Sequence, residues 1–293
     1  MRYFALLATL MVWSGWASAE PGAEWKLLNA KGPTQASPLQ GAVDSYAKKY
    51  KPTAIMVVQD GLVVATSGDI TRKVNVRSVR KSFLSALFGV AIDRGQVNTE
   101  STLGQLGIDD TAPSLSSEEK RATVRQLLMA RSGVYHPAAY ETSEQKVMRP
   151  PRGAHPPGTF WYYNNWDFNA LGAIYEKATA SNIFDGFEKV IARPLGMQDF
   201  TAHDGTFVGD GSSLYPAYVF SMSTRDLARF GWLFLNKGQW NGVSVVPSQW
   251  TAESTNAYSE TGRKTGGMDI YGGPSMPALG EETQSMRPAT ADS

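Results

Sequence analysis

The sequence predicts an α+β fold: an incomplete antiparallel sheet packed on helices, beside a mostly helical region from about residue 100 to 235. Three observations carry this. AIMVVQ and LVVATSG are β-branched runs separated by Asp60-Gly61. Both turn residues tolerate positive φ, so the runs read as hairpin strands near 54–59 and 62–67. The run SVRKSFLSALFGVAIDRG, from Ser78 to Gly95, is apolar on nearly every face, and such a helix belongs in an interior. Beyond residue 100 the apolar spacing is helical rather than alternating.

In chain order, residues 1–19 read as an export signal. Arg2 supplies a positive start, FALLATLMVW an apolar stretch, and Ala17-Ser18-Ala19 a small-residue cleavage site before Glu20. The stretch is short for a bilayer span. The expectation is therefore a mature periplasmic or secreted chain with no integral membrane segment, the rival reading being an uncleaved N-terminal anchor. Residues 20–40 are rich in Gly, Pro and Ser and read as surface loop, followed by a short amphipathic helix over GAVDSYAKKY. After the hairpin, the buried helix ends with Gly95 in a C-cap position. LSSEEKRATVRQLLMAR, NALGAIYEKAT, NIFDGFEKVIA, STRDLARFGWLFLNKG and PSQWTAES read as further helices, with loops over 135–168 and 201–220. From about residue 258 the chain turns polar or small, and 266–293 reads as an atypical, disordered tail.

Composition excludes several functions. The 28 Lys+Arg and 27 Asp+Glu are balanced and form no like-charge block, which argues against a nucleic-acid partner. Zero Cys removes disulfides and a thiol nucleophile. His136, His155 and His203 are widely spaced and pair with no second ligand, so no metal is predicted. No Gly-rich phosphate loop occurs, and no cofactor is implied.

The informative signal is a serine with a lysine three residues on, because i and i+3 share a helix face and the amine can reach the hydroxyl. Four such pairs occur: Ser45/Lys48, Ser78/Lys81, Ser117/Lys120 and Ser143/Lys146. Ser45 reads as part of a polar surface helix, Ser117 as an N-cap, and Ser143 as part of a polar loop. Ser78 instead begins the buried helix, where backbone N–H groups and the helix dipole favour developing negative charge. Burial, with Arg77 and Arg80 nearby, disfavours the charged form of Lys81, and a neutral lysine can accept a proton. The bland alternative is an N-capping Ser78 beside a snorkelling Lys81.

The Ser78 helix resembles the S-x-x-K helix of serine β-lactamases and penicillin-binding proteins, especially the class C β-lactamase-like family of esterases, carboxypeptidases and amide hydrolases. Other segments resemble that family in order: VRQLLMARSGVYH its "HLLTHTSGL", PGTFWYYNNWDFNALG its "PGTRFEYSNAGYNLLG", RPLGMQD its "RPLGMKDT", and SMSTRDLARFGWLFLNKG its "ST..DLARFG..LLNGG" helix. The similarity spans roughly residues 42 to 255 and implies a β-lactamase/transpeptidase-like fold.

It also implies a second motif, Y-x-N, whose tyrosine shuttles protons and whose asparagine bonds the substrate or the lysine. Two registers fit, Tyr162-Tyr163-Asn164 and Tyr163-Asn164-Asn165, and the flanking spacing favours Tyr163 with Asn165. The third motif, K-T-G or H-x-G, lies on an edge strand and binds substrate; Lys264-Thr265-Gly266 matches its letters. The family's edge strand is followed by more strands of the same sheet, whereas this chain continues into the polar tail. The expectation is a chain truncated or frame-shifted near 266–273, with few strands and an open site.

The resemblance thus implies a periplasmic serine hydrolase domain over residues 20–265 that cleaves a small-molecule or peptidoglycan-like ester or amide. Ser78, Lys81 and Tyr163 would be catalytic, and Asn165, Lys264, Thr265 and Gly266 substrate-binding. The competing reading is a truncated, non-catalytic relative that acts as a cell-envelope binding protein.

Overall fold

The computed structural model describes Gly22, residues 24–27 and residues 38–259. The export signal over 1–19, the Lys264-Thr265-Gly266 motif and the 266–293 tail lie outside the described residues.

The predicted hairpin forms as β2 (Ala54–Gln59) and β3 (Leu62–Gly68), joined by Asp60 and Gly61 at φ 51° and 76°. Its register pairs Gln59 with Leu62 and shifts by one residue between Val57 and Val58. A short strand inside the expected N-terminal loop, β1 (Lys26–Leu27), pairs parallel to β3 and gives a sheet ordered β1-β3-β2. Helix α1 (Pro38–Tyr50) packs on β3.

A second sheet was not expected. β4 (Val74–Asn75), β5 (Gly205–Val208) and β6 (Ala217–Met222) pair antiparallel in the order β4-β6-β5. Residues 201–220 are therefore not simply loop. AYVFSM is buried along nearly its whole length, so it lacks the alternation that marks a half-exposed strand.

Helix α2 (Arg80–Asp93) forms the centre of the molecule, with Phe83, Leu84, Leu87 and Phe88 fully buried. The Phe83 ring meets those of Phe187, Phe220 and Phe230 at 4.8, 5.3 and 4.9 Å. Gly95, at φ 67°, ends the helix as predicted, with Gln96 N–H donating to Ala91 O at 2.9 Å.

The expected helix over 115–131 is broken. A 3₁₀ turn at Glu119–Arg121 ends at an extended Ala122, and Thr123 then caps α4 (Val124–Leu128) through a capping box with Gln126; a short α3 (Leu103–Leu106) lies before both. Ser116, not Ser117, is the residue that accepts from Glu119 N–H. Ser143 opens a short helix, α5 (Ser143–Met148), capped by Thr142, rather than lying in a loop. Helix α6 (Trp166–Thr179) starts three residues before the predicted Asn169. α7 (Ile183–Phe187), α8 (Thr224–Leu235) and α9 (Ser248–Ser254) fall within their predicted segments. Between α8 and α9, β7 (Gln239–Trp240) and β8 (Val243–Ser244) form a hairpin around Asn241-Gly242.

Candidate active site

β6 and α2 together build the site. Pairing of Asn75 with Ser221, and donation from Val76 N–H to Phe220 O at 3.0 Å, fix the chain just before Ser78. Arg77 then takes φ 52°, and its N–H donates to Asn75 Oδ1 at 2.8 Å. Ser78, the predicted helix start, lies instead in the 3₁₀ turn Arg77–Val79 that leads into α2, which begins two residues later at Arg80.

Lys81, in the first turn of α2, is only 1% exposed. Its Nζ lies 3.5 Å from Ser78 Oγ and 3.0 Å from Asn165 Oδ1. The Tyr163 and Phe168 rings close the other sides, with centroids 4.6 and 5.1 Å from Nζ. Burial first, and the Arg80 charge second, hold the Lys81 amine well below the usual lysine range. Arg77 takes no part in this: its Nη1 donates instead to the Tyr140 hydroxyl at 3.0 Å.

Asn165 is the residue preceding α6 and donates from Nδ2 to Tyr140 O at 2.7 Å. Its Oδ1 also accepts from Arg80 Nη2 at 3.4 Å, and the same nitrogen donates to Asn169 Oδ1 at 3.1 Å. The alternative register serves local structure: Asn164 accepts from Asp167 N–H at 2.8 Å, and the Tyr162 hydroxyl donates to Gln145 O at 2.9 Å. Ser78, Lys81, Tyr163 and Asn165 are thus brought together, while Lys264, Thr265 and Gly266 lie outside the described residues.

The cleft over Ser78 has a volume of about 690 Å³ and is walled by Arg77, Tyr140, Trp161 and Tyr163, with Met148 of α5 at its rim. Sequence reasoning missed Tyr140, whose hydroxyl also accepts from Asn75 Nδ2 at 2.9 Å. It also missed Asp167, fully buried two residues after Asn165, where Oδ1 accepts from Ser132 Oγ at 2.6 Å. A carboxylate between the aromatic residues Trp166 and Phe168 is the signal that could have found it.

His136 and His155 are engaged elsewhere. Both His136 ring nitrogens face carbonyls, of Pro137 and Thr111, and His155 stacks on Phe160 at 4.0 Å. Among the described residues, no helix is long and apolar enough to cross a membrane.

These helices packed on small antiparallel sheets, with a serine and a buried lysine at one cleft, define a β-lactamase/transpeptidase-like fold. The beta-lactamase family model matches residues 43–277, and the chain belongs to that family of serine hydrolases. It is 26% identical over 162 residues to an unguisins hydrolase from Aspergillus campestris (strain IBT 28561), a match over 50% of this chain and 30% of that protein. The chain thus spans less than a third of that relative's length. Among solved structures, it resembles an octameric penicillin-binding protein homologue from Pyrococcus abyssi, with TM-score 0.58 and 17% identity over 80% of this chain and 63% of that one. A penicillin binding protein from Bacillus halodurans gives TM-score 0.57 and 15% identity, over 78% and 81%. These likenesses are of fold.

Proposed function

We propose that the protein hydrolyses a small-molecule ester or amide through an acyl-enzyme on Ser78. One observation carries the reading: a buried lysine, held below its usual pKa and paired with no carboxylate among the described residues, lies between Ser78 Oγ and Asn165 Oδ1. A neutral amine placed there donates one N–H to Asn165 and keeps its lone pair for the serine.

Ser78 Oγ bonds to the substrate carbonyl carbon while its proton passes to Lys81 Nζ. The carbonyl π electrons move onto oxygen, where the Ser78 backbone N–H is one donor of the oxyanion hole. Collapse re-forms the carbonyl and breaks the bond to the alcohol or amine, which leaves with the proton relayed from Lys81 by Tyr163. Water then attacks the acyl carbon, gives its proton to Lys81, and Ser78 departs as the hydroxyl. Asn165 orients Lys81 and the substrate, and Lys264, Thr265 and Gly266 would contribute to substrate binding. The export signal would place this chemistry in the periplasm or outside the cell, with peptidoglycan-like esters and amides among the available substrates.

The test is intact-mass spectrometry of residues 20–293 after exposure to a fluorophosphonate and, separately, to a penicillin. The expected result is a single adduct that disappears in Ser78→Ala. Penicillin labelling points to cell-wall-like amides, and fluorophosphonate labelling alone to an esterase. A folded protein that takes neither reagent overturns the proposal in favour of a non-catalytic binding protein.

A further inference from the structure

We propose that Arg77 is an anchor for a substrate carboxylate, so that this hydrolase selects anionic esters or amides; this rests on the reading of Ser78 as nucleophile. Arg77 directly precedes Ser78 and lines the same cleft. Its backbone is held at φ 52°, a conformation unfavourable for a residue with a side chain, and its N–H is tied to Asn75 Oδ1 at 2.8 Å. Tyr140, whose carbonyl accepts from Asn165, is itself at φ 68° and meets the Arg77 guanidinium through its hydroxyl at 3.0 Å. Two residues in the left-handed region therefore meet through one guanidinium–hydroxyl bond in the cleft that Ser78 lines.

The remaining donors of that guanidinium are the basis of the inference. Among the described residues Arg77 forms no ion pair with a carboxylate, and its side chain is exposed. Arg80, the other arginine lining the cleft, is buried against Asn165, Asn169 and the Tyr218 ring. Of the two lining carboxylates, Glu141 is paired with Arg149 and bonded by Ala138 N–H, and Glu144 lies in the first turn of α5. Arg77 is thus the exposed lining cation, with one of its donors held by the Tyr140 hydroxyl. A guanidinium presents a planar fork that matches a carboxylate, and pre-orientation lowers the ordering required on binding.

Two matched ester pairs test this in the full-length protein: mono-4-nitrophenyl adipate against its methyl-capped form, and 3-carboxy-4-nitrophenyl acetate against its methyl ester. The readout is the ratio of kcat/KM within each pair. The expected ratio favours the carboxylate by about tenfold to a hundredfold in at least one pair. It should fall to near one in Arg77→Gly, which relieves the backbone strain and so preserves the fold, and survive in part in Arg77→Lys. A wild-type ratio near one in both pairs, or an Arg77→Gly variant that loses both members of a pair equally, overturns the inference. In either case fluorophosphonate labelling of wild-type Ser78 leaves the hydrolase reading standing. Failure of wild type both to turn over any ester and to label at Ser78 overturns both.

Discussion

Lys81 Nζ donates to Asn165 Oδ1 over 3.0 Å, although 84 residues separate the two in sequence. The contact joins the first turn of α2 to the residue that precedes α6, and it holds the Lys81 amine in a pocket closed by Tyr163 and Phe168. The environment favours the neutral amine, so a change of charge at position 165 has a calculable direction.

Asn165→Asp places a carboxylate on Lys81 and favours its charged form. We expect kcat/KM to fall by about 10²-fold or more, since a protonated Lys81 cannot take the Ser78 proton. The acid limb of the pH–rate profile should also move to higher pH. Asn165→Ala should lower activity without that upward movement, and profiles of the two variants separate the cases.

The acid limb of wild-type kcat/KM should reflect Lys81 and lie well below its unfolded value of 10.5, because burial and the Arg80 charge lower the folded pKa. Between the folded and unfolded values the unfolded chain holds the extra proton, so the stability attributable to this group rises with pH. Lys81→Met removes the titration. It should abolish activity yet raise the thermal midpoint at pH 7 by at least ~2 °C. Thermal scans from pH 7 to 10 should show that advantage shrinking.

Asp167 behaves in the opposite sense. Burial raises its carboxyl to about 7, against the opposing hydrogen bonds from Ser132 and Asn164. From about pH 4 to 7 the folded state holds the extra proton, so stability falls as pH rises through that window. The span corresponds to a few kcal/mol in order of magnitude. Asp167→Asn should flatten this dependence, which urea unfolding at pH 5 and pH 8 reads directly.

Gly89 lies mid-helix in α2, where a Cβ would come within 2.2 Å of Trp250 Cδ1. Trp250 is itself fixed by donation from Nε1 to Ser85 O at 2.8 Å. Alanine gains about 1 kcal/mol in helix propensity, but overpacking against a held indole costs about 1–3 kcal/mol. Gly89→Ala should therefore be net destabilising, as a lowered denaturation midpoint with unchanged slope will show.

The elements legible in the sequence were those with a local signature. Asp60-Gly61 announced its hairpin, Gly95 its helix end, and the i,i+3 spacing placed Lys81 beside Ser78. The second sheet had none: β4 is two residues long, and β6 is buried along nearly its whole length, so neither shows a period. The left-handed backbones of Arg77 and Tyr140 had no signature either, because such a conformation at a residue other than Gly or Asn is imposed by its tertiary neighbours. The flanking Pro-Gly and Leu-Gly spacing pointed to Tyr163 and Asn165, the two residues that lie at Lys81, whereas the 135–168 loop offered no period from which to place Tyr140.

Ser78, Lys81, Asn165, Tyr140 and Arg77 form a closed circuit, because the last member adjoins the first along the chain. Two of its links run through the main chain, so exchanging Lys81 or Asn165 disconnects two neighbours, whereas exchanging any other member disconnects one. Substitutions within it should therefore be strongly epistatic. Divergence of this cleft toward new substrates would then proceed through paired changes, or along walls outside the circuit such as Met148 and Trp161, which a laboratory-evolution lineage would record in the order its mutations accumulate.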